Sequence, residues 1–249
     1  MNIASQEVRD SSVSYLTSPA EGYERWAPIY DHAPNPLLAR EERYVLPLLG
    51  DLRRKWILDL ACGTGRWLDK LVSHGSEFSV GIDCSSAMLS VAGQKPGIAG
   101  RLSCAACESL PFGNEVFDLA ICSFALGHIH NLDTLAREVA RVVKPGGDLF
   151  ITDLHPDAYR FGWRVGFKDH EASVQIEVLA RELEDVILPF SSNGFQYVSQ
   201  ASLWLEEPEK AIFARARKLS QFSTACQVPA VIAVRFRRSG SPVEFWETS

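Results

Sequence analysis

Two glycines one residue apart, Gly63 and Gly65, follow an apolar run that carries a single acid, Asp59. The stretch Ile57-Leu-Asp-Leu-Ala-Cys-Gly-Thr-Gly65 reads as a strand running into a tight turn, and about Trp67 to Val72 reads as the next helix. Glycine adopts backbone angles that a β-carbon forbids, so a ligand can come close to the main chain there. The free N–H groups at the start of the helix face the same spot. Strand, glycine turn and helix together form a nucleotide-type cradle. A dinucleotide fingerprint needs a third glycine for close helix packing, and Leu68 stands in its place. The acid suits a cationic group and would suit a pyrophosphate poorly.

A second acid follows at the expected distance. Phe78-Ser-Val-Gly-Ile-Asp83 is a short apolar run ending eighteen residues beyond Gly65, room for one helix and a second parallel strand. An acid at that strand end accepts hydrogen bonds from a ribose diol. It would do so for any nucleoside, and it can also cap the helix that opens with Ser85, Ser86 and Met88. Candidate proton acceptors come later. His155 lies just past a fifth strand, Asp148 to Asp153, at the edge where ligands bind. His128 lies in the loop after a fourth strand, Phe117 to Phe124, with His130 beside it. An ordinary histidine titrates near about 6.5, which suits proton removal near neutral pH. His155 is the first expected base and His128 the second. Asp153 either orients His155 or caps the next helix.

Asp59-x-x-x-Gly63-x-Gly65 resembles motif I of the class I S-adenosylmethionine (SAM) dependent methyltransferases. In that family the loop wraps the methionine part of SAM, which implies contacts from Asp59, Ala61, Cys62, Gly63 and Gly65. Asp83, Cys84 and Met88 then fall beside the ribose and adenine. Cys104-Ala-Ala-Cys-Glu-Ser-Leu-Pro-Phe112 resembles the family's adenine segment, with a departure: Ala106 stands where Asp is common, and Cys107 where Ala is common. The Cys107 backbone N–H remains as a donor, Glu108 faces solvent or the site, and Ser123 falls near the sulfonium. The helix Asn131 to Val143, the Lys144-Pro-Gly-Gly147 turn and the fifth strand follow in the family's order. The resemblance is specific from about residue 55 to 155.

Tyr23-Glu-Arg-Trp-Ala-Pro-Ile-Tyr-Asp31 resembles the N-terminal helix and turn of the ubiquinone/menaquinone-biosynthesis branch, where this element closes over the cofactor. It implies that Tyr23 and Tyr30 reach the SAM carboxylate and shield the sulfonium. Aromatic faces attract cations by about 0.5–2 kcal/mol. The His155-Pro…Gly162-Trp163 stretch is similar to a type 11 small-molecule group of bacterial methyltransferases.

The elements that must position these residues form, by this reading, a seven-stranded, mostly parallel, doubly wound α/β sheet. Residues 1–54 are expected as a helical lid, with a helix from Leu37 to about Leu46 ended by Pro47 and a polar start from Met1 to about Ser14. Residues 55–249 are expected as the SAM-binding core, with a substrate cap of about 155–195 between strands five and six. Leu132, Leu135, Val139 and Val142 share one helix face by their three-to-four spacing. Beyond Asp153 the pattern predicts a strand Val174 to Val178, a helix Ala180 to Val186, a strand Gln196 to Leu205, a helix Pro208 to Phe222 and a last strand Pro229 to Phe236.

Composition narrows the function. Of 249 residues 46 % are hydrophobic, yet no run reaches the roughly 18 apolar residues of a membrane span. No basic-then-apolar leader is seen, so a cytoplasmic location is expected. The formal charge is −6, and a nucleic-acid substrate calls for a basic surface. The six cysteines include Cys104-x-x-Cys107, but a structural zinc site needs two further ligands, so no metal is expected. A short-chain NAD(P) reductase would need Tyr-x-x-x-Lys, and no tyrosine has lysine four residues on. The expected activity is methyl transfer from SAM, giving S-adenosylhomocysteine, to an O, N or C atom of a small aromatic or apolar molecule. The alternative is an inactive SAM-binding partner or regulator. A homodimer is compatible with either.

Overall fold

The computed structural model describes residues 14–32, 34–169 and 172–240. The chain opens with strand β1 (Ser14–Thr17), helix α1 (Pro19–Trp26), a 3-10 turn (Ala27–His32) and helix α2 (Pro36–Leu48). Alternating strands and helices follow: β2 (Trp56–Leu60), α3 (Arg66–Ser73), β3 (Phe78–Asp83), α4 (Ser86–Ala92), β4 (Leu102–Cys104), β5 (Phe117–Ser123), α5 (Leu132–Val142) and β6 (Val143–Leu154). The remainder comprises α6 (Pro156–Arg160), β7 (Gly166–Asp169), β8 (Ala172–Ile176), α7 (Leu183–Ser192), β9 (Phe195–Leu203), α8 (Glu207–Arg215), α9 (Phe222–Ala225) and β10 (Val231–Arg238).

Seven strands form one sheet in the order β4-β3-β2-β5-β6-β10-β9. β2 to β6 run parallel, and β10 lies antiparallel between β6 and β9. The central strands are apolar along their length because helices cover both faces. Leu58, Leu60, Leu119 and Ile121 are all buried. α5 buries Leu132, Leu135, Val139 and Val142 on the predicted face. Strand order reverses between β2 and β5, and in open α/β sheets the crevice at such a reversal holds the ligand.

A second, three-stranded sheet has the order β1-β8-β7. It joins the N-terminal segment to the insertion after β6, with Ser14 to Thr17 paired parallel to Ser173 to Ile176. The sequence does not announce β1, because four residues carry too little alternation; Met1 to Val13 lie outside the described residues. α1 packs on this sheet through Trp26, which joins Phe167, Val174 and Ile176 in one apolar cluster. Ser18 caps α1 and Pro19 opens it, as helix starts favour.

Some expected boundaries shift. The helix predicted over Ala180 to Val186 runs Leu183–Ser192, because Glu182 and Asp185 form a capping box that starts it later. It packs against α5 and the sheet through Val186 and Phe190, away from the expected cap. The helix predicted over Pro208 to Phe222 stops at Arg215, where Arg217 turns left-handed at φ 56°. Pro47 sits in the last turn of α2 and does not end it.

Candidate functional site

A cavity of about 530 Å³ lies over the carboxyl ends of β2 to β5, within the size range of small-ligand sites. Its floor is the glycine turn. Gly63 is left-handed at φ 54°, and a β-carbon added there would meet no protein atom within 4 Å. Packing does not demand glycine at that position; the backbone angle and the open space do. Gly65 is left-handed at φ 77°, and its β-carbon would lie 2.4 Å from Ile98 Cδ1. Gly65 does not line the cavity. The expected cofactor contact is therefore a packing residue that starts α3.

Asp59 and Asp83 hold this turn from both sides. With no side chain at Gly65 to cap α3, the Leu68 N–H donates to Asp59 Oδ2 at 2.9 Å. Burial pushes the Asp59 carboxyl up to about 7, partly offset by Arg66. Asp83 Oδ2 accepts from the Gly63 N–H and Oδ1 from the Ser85 N–H, both at 2.8 Å. A carboxylate offers about four acceptor positions, so Asp83 keeps capacity for a diol. Burial raises its pKa, opposed by these backbone donors.

Ala105, Ala106, Cys107 and Glu108 form one end wall, with Met88 and Cys84 nearby. Burial pushes the Cys62 and Cys107 thiols far above their ordinary value, which leaves them unreactive. All six cysteines are free. Among the described residues no cluster of three or more His, Cys, Asp or Glu is placed to hold a metal.

The roof is aromatic. Tyr23 stacks on Trp26 with centroids 5.9 Å apart, and Trp26 stacks on Phe167 at 5.1 Å. Tyr30 meets Trp26 edge-on at 4.8 Å. The Tyr23 hydroxyl lies 2.8 Å from His128 Nε2. Burial raises both tyrosine hydroxyls and pushes His128 down to about 4. At neutral pH all three are uncharged. Asp31 latches the roof to the glycine turn, accepting from Thr64 Oγ1 and pairing with Lys95 Nζ, each at 2.8 Å.

Two residues absent from the sequence reading organise the centre. Glu41 on α2 is fully buried. Its carboxylate pairs with Arg66 Nη2 and accepts from Trp67 Nε1, Ser123 Oγ and Thr152 Oγ1. Arg66 also donates to Ser123 Oγ at 3.0 Å, while its Nη1 is buried without a partner. Arg66 lines the cavity. Its only signal in the sequence is its place directly after Gly65.

His155 is a correction. It does not line the large cavity, caps α6, accepts from the Asp157 N–H at 3.1 Å and lies 3.1 Å from Ser202 Oγ. β6 sits one strand beyond β5, and the side chain turns toward β9. Asp153 does not orient it; the carboxyl accepts from Leu154 and Gly127 N–H groups. His128 and His130 do line the cavity.

Residues 57–147 match the model of a methyltransferase domain family. Over 164 residues, 64 % of this chain, the sequence is 32 % identical to a demethylmenaquinone methyltransferase of Mycobacterium tuberculosis, spanning 62 % of that protein's length. A demethylmenaquinone methyltransferase of Corynebacterium urealyticum is 34 % identical over 163 residues, 64 % of this chain and 65 % of its own length. The crystal structure of an S-adenosylmethionine dependent methyltransferase from Mesorhizobium loti superposes with a TM-score of 0.64 at 21 % identity, covering 82 % of this chain and all of that one. Residues 57–147 thus match a methyltransferase domain, and the fold is the one that the solved S-adenosylmethionine dependent methyltransferase shares. Every expected cofactor residue except Gly65 borders the cavity of about 530 Å³.

Proposed function

We propose that this protein transfers the methyl group of SAM to an oxygen, nitrogen or carbon atom of a small aromatic or apolar molecule. The observation that carries the reading is the convergence of the Gly63 turn, Asp83 and Arg66 on a single cavity roofed by Tyr23 and Tyr30. These groups match a methionine carboxylate, a ribose diol and a cationic sulfonium. The Cys107 backbone stands where the adenine edge would lie. The aromatic roof and the menaquinone-directed names of the relatives support an apolar acceptor.

When bound, SAM supplies an already activated methyl group. The protein then has to align the acceptor and exclude water, and such positioning supplies much of the acceleration. Tyr23, Tyr30 and Trp26 close the site from above. A nucleophile that carries a proton must lose it as its bond to the methyl carbon forms and the carbon–sulfur bond breaks. Tyr23 and His128 form the path for it: the acceptor proton passes to the Tyr23 oxygen, and the Tyr23 proton to His128 Nε2. The imidazolium gains its charge as the sulfonium loses one, so the net charge of the closed site is unchanged.

Calorimetric titration with SAM, S-adenosylhomocysteine and NADH tests the cofactor. Micromolar binding of both adenosyl ligands, lost in Asp83→Ala, is expected. NADH binding alone would return the glycine turn to the dinucleotide class.

A further inference from the structure

A second chamber, with about 20 Å³ of free space, lies beside the main cavity. The two share Tyr23, Tyr30, Leu38, Phe124 and His128. The chamber adds three polar residues that the main cavity lacks, Asn35, Asp153 and Tyr159. A water needs about 10–15 Å³ of such space, so the chamber admits one oxygen-sized group.

Its polar lining is incomplete. The Tyr159 hydroxyl is buried without a hydrogen-bond partner. Buried polar groups are nearly always paired, so each exception calls for a cause. Asp153 accepts one backbone N–H on each oxygen, from Leu154 at 2.7 Å and Gly127 at 3.2 Å, and further acceptor positions remain. Burial pushes its carboxyl up to about 6. Asn35 Oδ1 is taken by the Leu37 N–H, and Trp26, Phe124, Val165 and Val178 complete the walls.

We infer that this chamber is an acceptor subsite, in which the Tyr159 hydroxyl and the Asp153 carboxyl anchor a hydroxyl of a planar, ring-bearing acceptor. The inference rests on the methyl-transfer reading and adds a substrate class to it, the phenols and enols. A ring hydroxyl can accept from Tyr159 and donate to Asp153, satisfying both at once. A carbonyl oxygen could only accept, and a bare ring would leave the Tyr159 hydroxyl unpaired. Phe124, which borders both spaces, flanks the ring in the main cavity.

The test uses the full chain saturated with S-adenosylhomocysteine and fluorescence titration with 2-naphthol and with naphthalene. Wild type is expected to bind 2-naphthol about tenfold more tightly than naphthalene, the effect of one or two buried hydrogen bonds. Tyr159→Phe and the near-isosteric Asp153→Asn should each erase most of that preference while naphthalene binding holds, which also reports intact folding. Equal affinity for the two arenes, binding of neither, or a preference that survives both substitutions overturns the subsite, provided S-adenosylhomocysteine still binds by calorimetry. Loss of S-adenosylhomocysteine binding by wild type would instead overturn the cofactor reading, and the subsite with it.

Discussion

Glu41 and Arg66 meet in a buried ion pair that ties the N-terminal helix α2 to the first residue after the glycine turn. The pair leaves Arg66 Nη1 buried without a partner, and Arg66 lines the cavity. Glu41 is fully buried and Arg66 is about one-fifth exposed, so breaking the pair uncovers a charge that only partial solvent contact can screen. Removing one partner of a buried pair costs about 3–5 kcal/mol, and the exposure of Arg66 places Glu41→Gln at or below the lower end. Urea unfolding should show that loss. Calorimetry should show weaker S-adenosylhomocysteine binding, by about tenfold, because a guanidinium no longer held in place must be ordered by the ligand. Unchanged affinity in a folded Glu41→Gln protein would separate Arg66 from the cofactor.

The two glycines of the turn should separate stability from binding. Gly65→Ala places a β-carbon against Ile98 at a left-handed angle, and overpacking of this kind costs about 1–3 kcal/mol. Its melting temperature should fall. Gly63→Ala meets no protein atom and carries only the backbone strain, about 1–2 kcal/mol per left-handed residue. Its larger effect should be on cofactor affinity, read by calorimetry, since the new methyl stands in the cavity.

Asp59 predicts a pH slope. Burial raises its folded pKa to about 7, well above the ordinary aspartate value of about 4. Between those values the folded state holds the proton and the unfolded state does not. Stability therefore falls as pH rises from about 4 to 7, since the unfolded state binds fewer protons there. Asp59→Asn can still accept from the Leu68 N–H and does not ionise. Melting curves across that range should slope less steeply for the variant than for wild type. Parallel curves would mean that Asp59 keeps an ordinary pKa.

The Tyr23–His128 contact predicts a rate profile. With His128 pushed down to about 4, its neutral, proton-accepting form is complete above about pH 5. For an acceptor that must lose a proton, kcat should rise through pH 4–5 and then level off, in that limb alone. His128→Phe and Tyr23→Phe should each lower kcat by about a hundredfold, the smaller end of general-base effects. Equal rates in wild type and His128→Phe would remove the relay.

Much of the fold was legible because its signals are local. The apolar run Ile57 to Leu60, the acid at Asp83 and the three-to-four spacing of Leu132 to Val142 each lie within one element. Glu41 was not legible. Its partners Trp67, Ser123 and Thr152 lie on three elements distant in the chain, and on α2 it reads as one of two adjacent surface glutamates. His155 misled for the same reason: the sequence places it at a strand end, but only the tertiary packing shows that Ser202 takes its side chain and the Ala230 carbonyl its backbone N–H.

By itself, the sequence determined the order of strands and helices, the glycine turn and the two acids that flank it. These follow from backbone sterics and from periodic burial, which act over a few residues. Only the tertiary structure decided which polar groups face a cavity and which are spent on packing. It joined β1 to β8, turned Gly65 into a helix start, set His128 against Tyr23, and left Arg66 Nη1 and the Tyr159 hydroxyl without partners. Those outcomes depend on side chains from distant segments competing for the same buried space, a competition that no short stretch of sequence records.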